Sequence, residues 1–399
     1  MHEIEALAHR SPGLAEAYDA TRPEFTHFAA EVARWFDRED RSYDQLDAAI
    51  RSSMDGASTG IRLALKLAES RRLVAALEEP VTVTLLNPVY KETGRMQRRS
   101  EHPHGEDSLR TKVEALTELE GLNPDFKARL VVIDDECPEG SGELARSILA
   151  EYDDPERYRV LFLGEAIDHE DPHLPPGLTH KDGQRRSVKG GSVLYGMRTS
   201  LDDPVDGRHI LIDNDADLSV HPTQLGLLVD DIVTGAAEVV AGSRREVDSV
   251  TAIGPGRNAR GRLFIAIWQH LLPQLAEGIR DTNRAFKAFD AVALAQIIDD
   301  IETYTFPYQI ELLQASSSRG IPLRPRGIAY LDSEAASTQQ GEAITETYLH
   351  QIHQIIDIAR RYGTIDPDDR LLHVFDGMTE SDWTAIEADP PEDLSELLG

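Results

Sequence analysis

Cysteine is nearly missing from this 399-residue chain: Cys137 stands alone, so no internal disulfide can form. That excludes a disulfide scaffold and fits a reducing cytoplasm. No apolar run approaches the roughly 18 to 20 residues a membrane helix needs. The start, Met1 to Arg10, alternates charged and apolar residues and lacks the apolar core of a signal peptide. The expectation is a soluble, cytoplasmic protein without integral membrane association. Positive charge is also scarce: 41 Lys and Arg against 71 Asp and Glu give a formal net charge of −30. Nucleic acid is thereby excluded as the main partner, as is an anionic membrane surface. An anionic ligand then needs local basic groups or a metal. P-loop spacing and internal repeats are absent.

What is present reads as an α/β protein with helical ends. The hydrophobic share of 40% is ordinary for a globular chain, and the length allows one to three domains. Residues 1 to 79 form a helical extension, in which Phe25, Phe28, Ala29, Val32, Trp35 and Phe36 share one helical face. A second helix is predicted over Ile61 to Leu77. Its role is packing against the main domain or against a second copy in a homodimer. Residues 80 to 335 alternate strands and helices. Residues 336 to 399 hold one amphipathic helix, with Leu349, Ile352, Ile355, Ile356 and Ala359 inward and Gly363 as its C-cap, then an acidic tail.

The chemistry concentrates at predicted strand ends. Val81 to Leu86 is β-branched and reads as a strand, running into a loop from Asn87 to Glu92. A polar segment follows with Arg95, Arg98, Arg99, His102 and His104, either a surface loop or a flap over an anionic substrate. Leu130 to Ile133 is a strand ending in Asp134 and Asp135, followed by a Gly-bearing turn and a helix. That layout suits a nucleotide-binding half, where a carboxylate holds a base or ribose, or else caps the turn. Arg159 to Leu163 is a strand, and Gly164 to Arg186 a loop. Lys189-Gly190-Gly191 then opens a helix, a pattern that lets a phosphate approach. The strand Ile210 to Ile212 stops in three alternate acids, Asp213, Asp215 and Asp217. So much charge at a strand end needs a cation or water to neutralise it. It is therefore a divalent-metal site or a solvated acidic turn. Glu238 to Ala241 leads to Arg244 and Arg245, and Arg257, Arg260, Arg262 and Arg280 surround an apolar helix at Leu263 to Leu272. Phe306 to Leu313 starts another helix, and Ile321 to Tyr330 an irregular strand.

In this order the pieces resemble a family 2 glycosyltransferase of the GT-A fold, in pattern nearest the dolichyl-phosphate mannose synthase group. The matching stretches are V-T-L-L-N-P-V-Y-K-E at 83 to 92, V-V-I-D-D-E-C-P-E-G-S-G at 131 to 142, K-G-G at 189 to 191 and D-A-D-L-S at 215 to 219. V-A-G-S-R at 240 to 244, D-T-N-R-A-F-K-A-F at 281 to 289 and I-E-L-L at 310 to 313 follow. The resemblance implies a Rossmann-like, mostly parallel mixed sheet and a nucleotide-diphospho-sugar donor with Mg²⁺ or Mn²⁺. It assigns Asn87, Pro88, Tyr90, Glu92, Asp134 and Asp135 to the nucleotide. Lys189, Asn214, Ala216, Arg244 and Arg257 fall near the donor, and the D-x-D pair Asp215 and Asp217 on metal and diphosphate. Asp281 and Glu311 are the catalytic candidates.

Some positions depart from the pattern. Ser219 stands where that group usually has a metal-binding glutamine, leaving His221 as a further ligand candidate. Asp213 replaces a usually apolar residue and Ala285 a usual glycine. Without a membrane anchor, a small soluble acceptor is expected. The expected reaction is a metal-dependent, inverting sugar transfer. The rivals are retaining transfer of the glucosyl-3-phosphoglycerate synthase type, a sugar nucleotidyltransferase, and a non-catalytic nucleotide-binding protein.

Overall fold

The computed structural model describes all residues except 1–3, 5, 8, 12–22, 54–58, 180–186, 253–257, 283, 332–342, 390, 392 and 399. Seven strands form one sheet: β1 (Val81–Val89), β2 (Phe126–Asp134), β3 (Tyr158–Phe162), β4 (Arg208–Asp213), β5 (Val239–Ser243), β7 (Lys287–Asp290) and β8 (Leu323–Gly327). Their order is β3-β2-β1-β4-β7-β5-β8. Only β7 runs antiparallel to its neighbours, so the sheet is mixed and mostly parallel. The expected α/β fold is therefore present. Two short strands, β6 (Val250–Ala252) and β9 (Ala329–Leu331), pair separately.

Strand periodicity sends alternate side chains to opposite faces. Val83, Leu85, Ile210 and Ile212 face one core, shared with α4 (Ser108–Glu120), α5 (Ser141–Leu149) and α7 (Leu225–Val233). Leu86, Val131, Ile133 and Leu211 face the other, under α6 (Gly190–Leu201), α8 (Asn258–Leu271), α9 (Tyr308–Ser318) and α10 (Ala343–Tyr362). The result is three layers, with both sheet faces covered, as parallel strands require. The strand order turns back between β1 and β4. In open α/β sheets the crevice beyond such a reversal takes the ligand.

Several predicted elements shift. β1 does not stop at Leu86: Asn87 and Pro88 continue it, opposite Val132 and Ile133 of β2. β4 pairs with β1 only as far as Leu86, so the missing N–H of Pro88 falls where no second neighbour needs it. The Gly164 to Arg186 loop begins with a short helix, Leu163–Asp168. β7, unread in the sequence, forms from Lys-Ala-Phe-Asp between β4 and β5. Gly363, at φ 60°, ends α10 in the left-handed conformation expected of a C-cap.

Before β1, three helices, α1 (Pro23–Phe36), α2 (Tyr43–Ser53) and α3 (Thr59–Ala75), build their own apolar cluster around Val32, Phe36, Leu46 and Ile61. They also grip the loop between β5 and β6. Lys66 of α3 is fully buried, with Nζ 2.5 Å from Asp248 Oδ2 and 4.4 Å from the Tyr43 ring centre. Tyr43 donates to the Asp248 carbonyl and Arg62 to that of Ser249. The segment held this way starts three residues after Arg245. Asp248→Ala strands an ammonium in the interior and is expected to cost about 3 to 5 kcal/mol. Lys66→Met should cost less, because Asp248 keeps 28% of its side chain in water. Urea unfolding midpoints of the two variants check that ranking.

Candidate functional site

The ends of β1 and β4 lie side by side, and one buried cation joins them. Asn87 is the first residue of β1 beyond its pairing with β4, and Asn214 follows β4 with its N–H on the Leu86 carbonyl, 2.9 Å away. Lys112 reaches up from α4 and donates to Asn87 Oδ1 at 2.6 Å, to Asn214 Oδ1 at 2.5 Å and to the Asp215 carbonyl. Burial pulls its pKa down to about 8, while the charges of Asp217 and Asp215 hold it up. At neutral pH it stays a cation. The sequence reading missed Lys112, although its signal is visible: a lysine inside the apolar stripe Leu109, Val113, Leu116.

Beyond β4 the three acids separate in role. Asp213 is buried and structural. It accepts from Tyr308 Oη at 2.6 Å, Gln309 Nε2 at 3.1 Å and the Lys287 N–H at 3.0 Å. It thus fastens α9 and β7 to β4, which explains an acid where the resembling pattern has an apolar residue. Asp215 points into the cleft, with Lys189 Nζ on one carboxylate oxygen and Arg284 Nη1 4.0 Å from the other. Burial opposes ionisation of Asp215, but Lys189 and Arg284 outweigh it and hold its pKa well below the usual carboxylate range. Asp217 is partly exposed and uses one oxygen, accepting from the Ser219 N–H at 3.0 Å. Ala216, between them, is buried.

His221 is engaged by its own turn. Its Nδ1 accepts from the Thr223 N–H at 3.3 Å, capping the turn that precedes α7. Burial, then Lys112, lowers its pKa to about 4, so the ring is neutral with its proton on Nε2. Among the described residues no group of three or more His, Cys, Asp or Glu converges. The side chains that could hold a cation are the two carboxylates of Asp215 and Asp217. That fits Mg²⁺ or Mn²⁺ when substrate phosphates and water fill the other positions.

Lys189 is held in place by the second acidic strand end. Asp135 accepts from Ser187 Oγ and from the Lys189 N–H, the latter at 2.8 Å. Lys189 has φ 69° and ψ −49°, a costly conformation for a residue with a side chain. Its surroundings impose that strain and aim its ammonium at Asp215. Asp134 is used up nearby, accepting from the N–H groups of Cys137 at 2.9 Å and Gly142 at 2.8 Å. Both acids thus bond the protein itself, the turn-capping alternative that the sequence left beside a nucleotide contact. The two glycines after Lys189 have a similar explanation. A Cβ on Gly190 would sit 2.5 Å from the Tyr304 carbonyl carbon, and the Gly191 N–H donates to Tyr304. Protein backbone, rather than a phosphate, fills that approach.

The loop after β1 docks on the loop after β2. The Lys91 N–H meets Cys137 Sγ at 3.2 Å, and the Glu92 N–H meets Ser141 Oγ at 2.9 Å. Tyr90 is half-exposed beside them. Glu92 pairs with Arg95; burial raises its pKa to about 7 against that pairing, with help from Asp217. The basic segment, read from sequence as a surface loop or a flap, is tied down by acids: Arg95 meets Glu92 and Glu106, and Arg98 meets Glu101 and Asp107.

Both catalytic candidates are engaged by arginine. Asp281 is 3% exposed, with both oxygens 2.7 Å from Arg244 nitrogens and the Arg244 N–H at 2.9 Å. Burial alone would raise its pKa, but the Arg244 bonds pull it down to about 2. Glu311 is fully buried, accepting from Arg361 and from the Glu302 and Thr303 N–H groups. It has no face toward a substrate. Arg257 lies outside the described residues. The sequence reading also missed Arg284 and Tyr330. Tyr330 carries Arg284 and Arg244 on its ring at 4.7 and 5.2 Å, and Arg284 Nε is buried without a partner.

No family model matches the chain. Undecaprenyl-phosphate mannosyltransferase of Micrococcus luteus is 26% identical over 218 residues, covering 54% of this chain and 76% of that protein. Glycosyltransferase AglD of Haloferax volcanii is 23% identical over 285 residues, 70% of this chain but only 39% of that protein. Among solved structures, glucosyl-3-phosphoglycerate synthase of Mycobacterium tuberculosis with Mn²⁺, UDP and glucosyl-3-phosphoglycerate has a TM-score of 0.47 and 17% identity. That match covers 75% of this chain and 85% of the synthase. Mannosyl-3-phosphoglycerate synthase of Rubrobacter xylanophilus has a TM-score of 0.47 and 10% identity, covering 75% of this chain and 80% of its own. Among the described residues, no helix is long and apolar enough to cross a membrane.

Proposed function

We propose, since this chain is a distant member of the GT-A glycosyltransferase superfamily, that it transfers a sugar from a nucleotide-diphospho-sugar to a small soluble acceptor, with Mg²⁺ or Mn²⁺. One observation carries the reading. At the sheet's reversal point Asp215 and Asp217 leave a single turn, and Lys189 and Arg284 converge on Asp215. Groups for a cation and groups for an anion therefore share one place.

Breaking the bond from sugar to phosphate leaves charge on the diphosphate. A divalent cation held by Asp215 and Asp217 supplies Lewis-acid stabilisation of that charge. Lys189 would exchange Asp215 for a phosphate oxygen, and Arg284, with its unpartnered Nε, would take another. Asn87 and the Tyr90 to Glu92 loop border the nucleotide. In the geometry described, both oxygens of Asp281 are committed to Arg244, which makes it a poor base. That commitment favours a second reading, retaining transfer, in which a leaving phosphate oxygen can accept the acceptor's proton. The anomeric configuration of the product, read by NMR, separates the two.

The direct test is a thermal-shift panel of UDP-, GDP-, ADP- and TDP-sugars with Mn²⁺. Mn²⁺ alone should shift the melt little, because Lys189 already neutralises Asp215. One nucleotide sugar with Mn²⁺ should raise it by several degrees, since saturation at about 100 Kd adds about 2.7 kcal/mol. Silence towards every member, with and without Mn²⁺, would leave a non-catalytic protein. Pyrophosphate release from a nucleoside triphosphate would identify a nucleotidyltransferase.

A further inference from the structure

The geometry points to Lys112 as a positioning residue for the donor: one buried ammonium fixes the Asp215–Asp217 turn against the nucleotide-facing end of β1. This rests on the reading of the cleft as a nucleoside-diphosphate site with a divalent cation.

An ammonium has three N–H donors, and Lys112 spends them on three acceptors from two strand ends. They are Asn87 Oδ1 on the first, and Asn214 Oδ1 and the Asp215 carbonyl on the second. The side chain has no exposed surface, and each of its three hydrogen bonds ends on an amide or peptide oxygen rather than a carboxylate. A buried charge without a hydrogen-bonded counter-ion is costly, and a merely structural bridge is made more cheaply by neutral groups. Its position suggests a compensation. The bonds hold the backbone on which Asp215 and Asp217 are displayed. β4 pairs with β1 only to Leu86, so past that point the sheet ladder no longer sets the separation of the two ends. Lys112 takes over where the ladder stops. It need not touch substrate: its effect passes through Asn87, Asn214 and Asp215.

The test uses the full-length protein and the nucleoside diphosphate, from UDP, GDP and ADP with Mn²⁺, that binds the wild type most tightly by calorimetry. Lys112→Met is compared with wild type well below both melting temperatures, so that folded protein is titrated in each case. Affinity should fall on the order of tenfold to a hundredfold, as for residues that hold metal ligands in place. Adding Asn214→Ala to Lys112→Met should lower it little further, because both changes break one connection. A lower melting temperature with unchanged affinity overturns the inference and leaves Lys112 a stability residue. Should Lys112→Met not fold, Asn87→Ala and Asn214→Ala carry the test. Each should weaken binding several-fold, and unchanged binding in both overturns the inference. Wild-type protein that binds none of the probes overturns the donor-site reading itself, and the inference with it.

Discussion

Asp215→Ala is expected to lower the release of nucleoside diphosphate from the accepted donor by about a thousandfold or more, and Asp217→Ala by about a hundredfold or more. The ranking follows from their surroundings. Asp215 has two cations turned towards it and a depressed pKa, so it is ionised at neutral pH. Removing it deletes a carboxylate for the divalent cation and also leaves Lys189 without its present partner, free to swing from the diphosphate. Asp217 spends one oxygen on the Ser219 N–H and offers the other. Its loss removes a ligand and leaves the contacts of Lys189 and Arg284 with Asp215 in place. Melting curves should register the difference: Asp215→Ala leaves a mostly buried lysine unpaired, whereas Asp217→Ala gives up one turn hydrogen bond, about 1 kcal/mol. Turnover is therefore compared per folded molecule, with saturating Mn²⁺. Wild-type rates in both variants would remove these carboxylates from the reaction.

How far the sequence revealed this site depends on which interactions are local. Strand ends, the acidic turn and the helices α6 and α7 follow from side-chain period and from charge placed after an apolar run. Those patterns lie within ten or so residues. The partners do not. Asp213, Asp215 and Asp217 look alike in sequence. Only the tertiary arrangement turns Asp213 inward onto Tyr308 and Lys287, 95 and 74 residues away. Asp134 and Asp135 look like ligand acids until the turn after β2 and the start of α6 fold back onto them. Lys189-Gly190-Gly191 resembles a phosphate loop because glycine signals close approach without naming what approaches; here it is the backbone at Tyr304. β7 went unread because four residues are too few to show a period. Its antiparallel place rests on β4 and β5, on either side of it. Lys112 was legible as a lysine on an apolar stripe, but its purpose needed both asparagines.

The second large effect concerns Arg244 and Asp281, and it separates a structural pair from a catalytic base. Arg244→Met leaves Asp281 buried with its charge and only the backbone N–H of residue 244, which should cost about 3 to 5 kcal/mol. Asp281→Asn, which keeps the shape and removes the charge, should cost about 1 to 3 kcal/mol. The pH dependence has a definite sign. The folded-state pKa of Asp281, about 2, lies below the ordinary carboxylate value of 3.8. Its stabilisation is therefore fully present above the unfolded value and is lost as pH falls through the folded one. The stability advantage of wild type over Asp281→Asn should be constant from pH 7 to 5. It should then shrink between pH 4 and 2, by on the order of 2 kcal/mol. Chemical denaturation at each pH measures this. On the activity side, a carboxylate gripped on both oxygens by a guanidinium is a poor proton acceptor. Asp281→Asn should accordingly lower the melting temperature and the donor affinity together and leave any acid limb of the pH–rate profile where it was. An Asp281→Asn protein with wild-type stability and donor affinity but no turnover would reverse the assignment. Arg244 would then have to release Asp281 when the acceptor binds, and the inverting reaction would have its base.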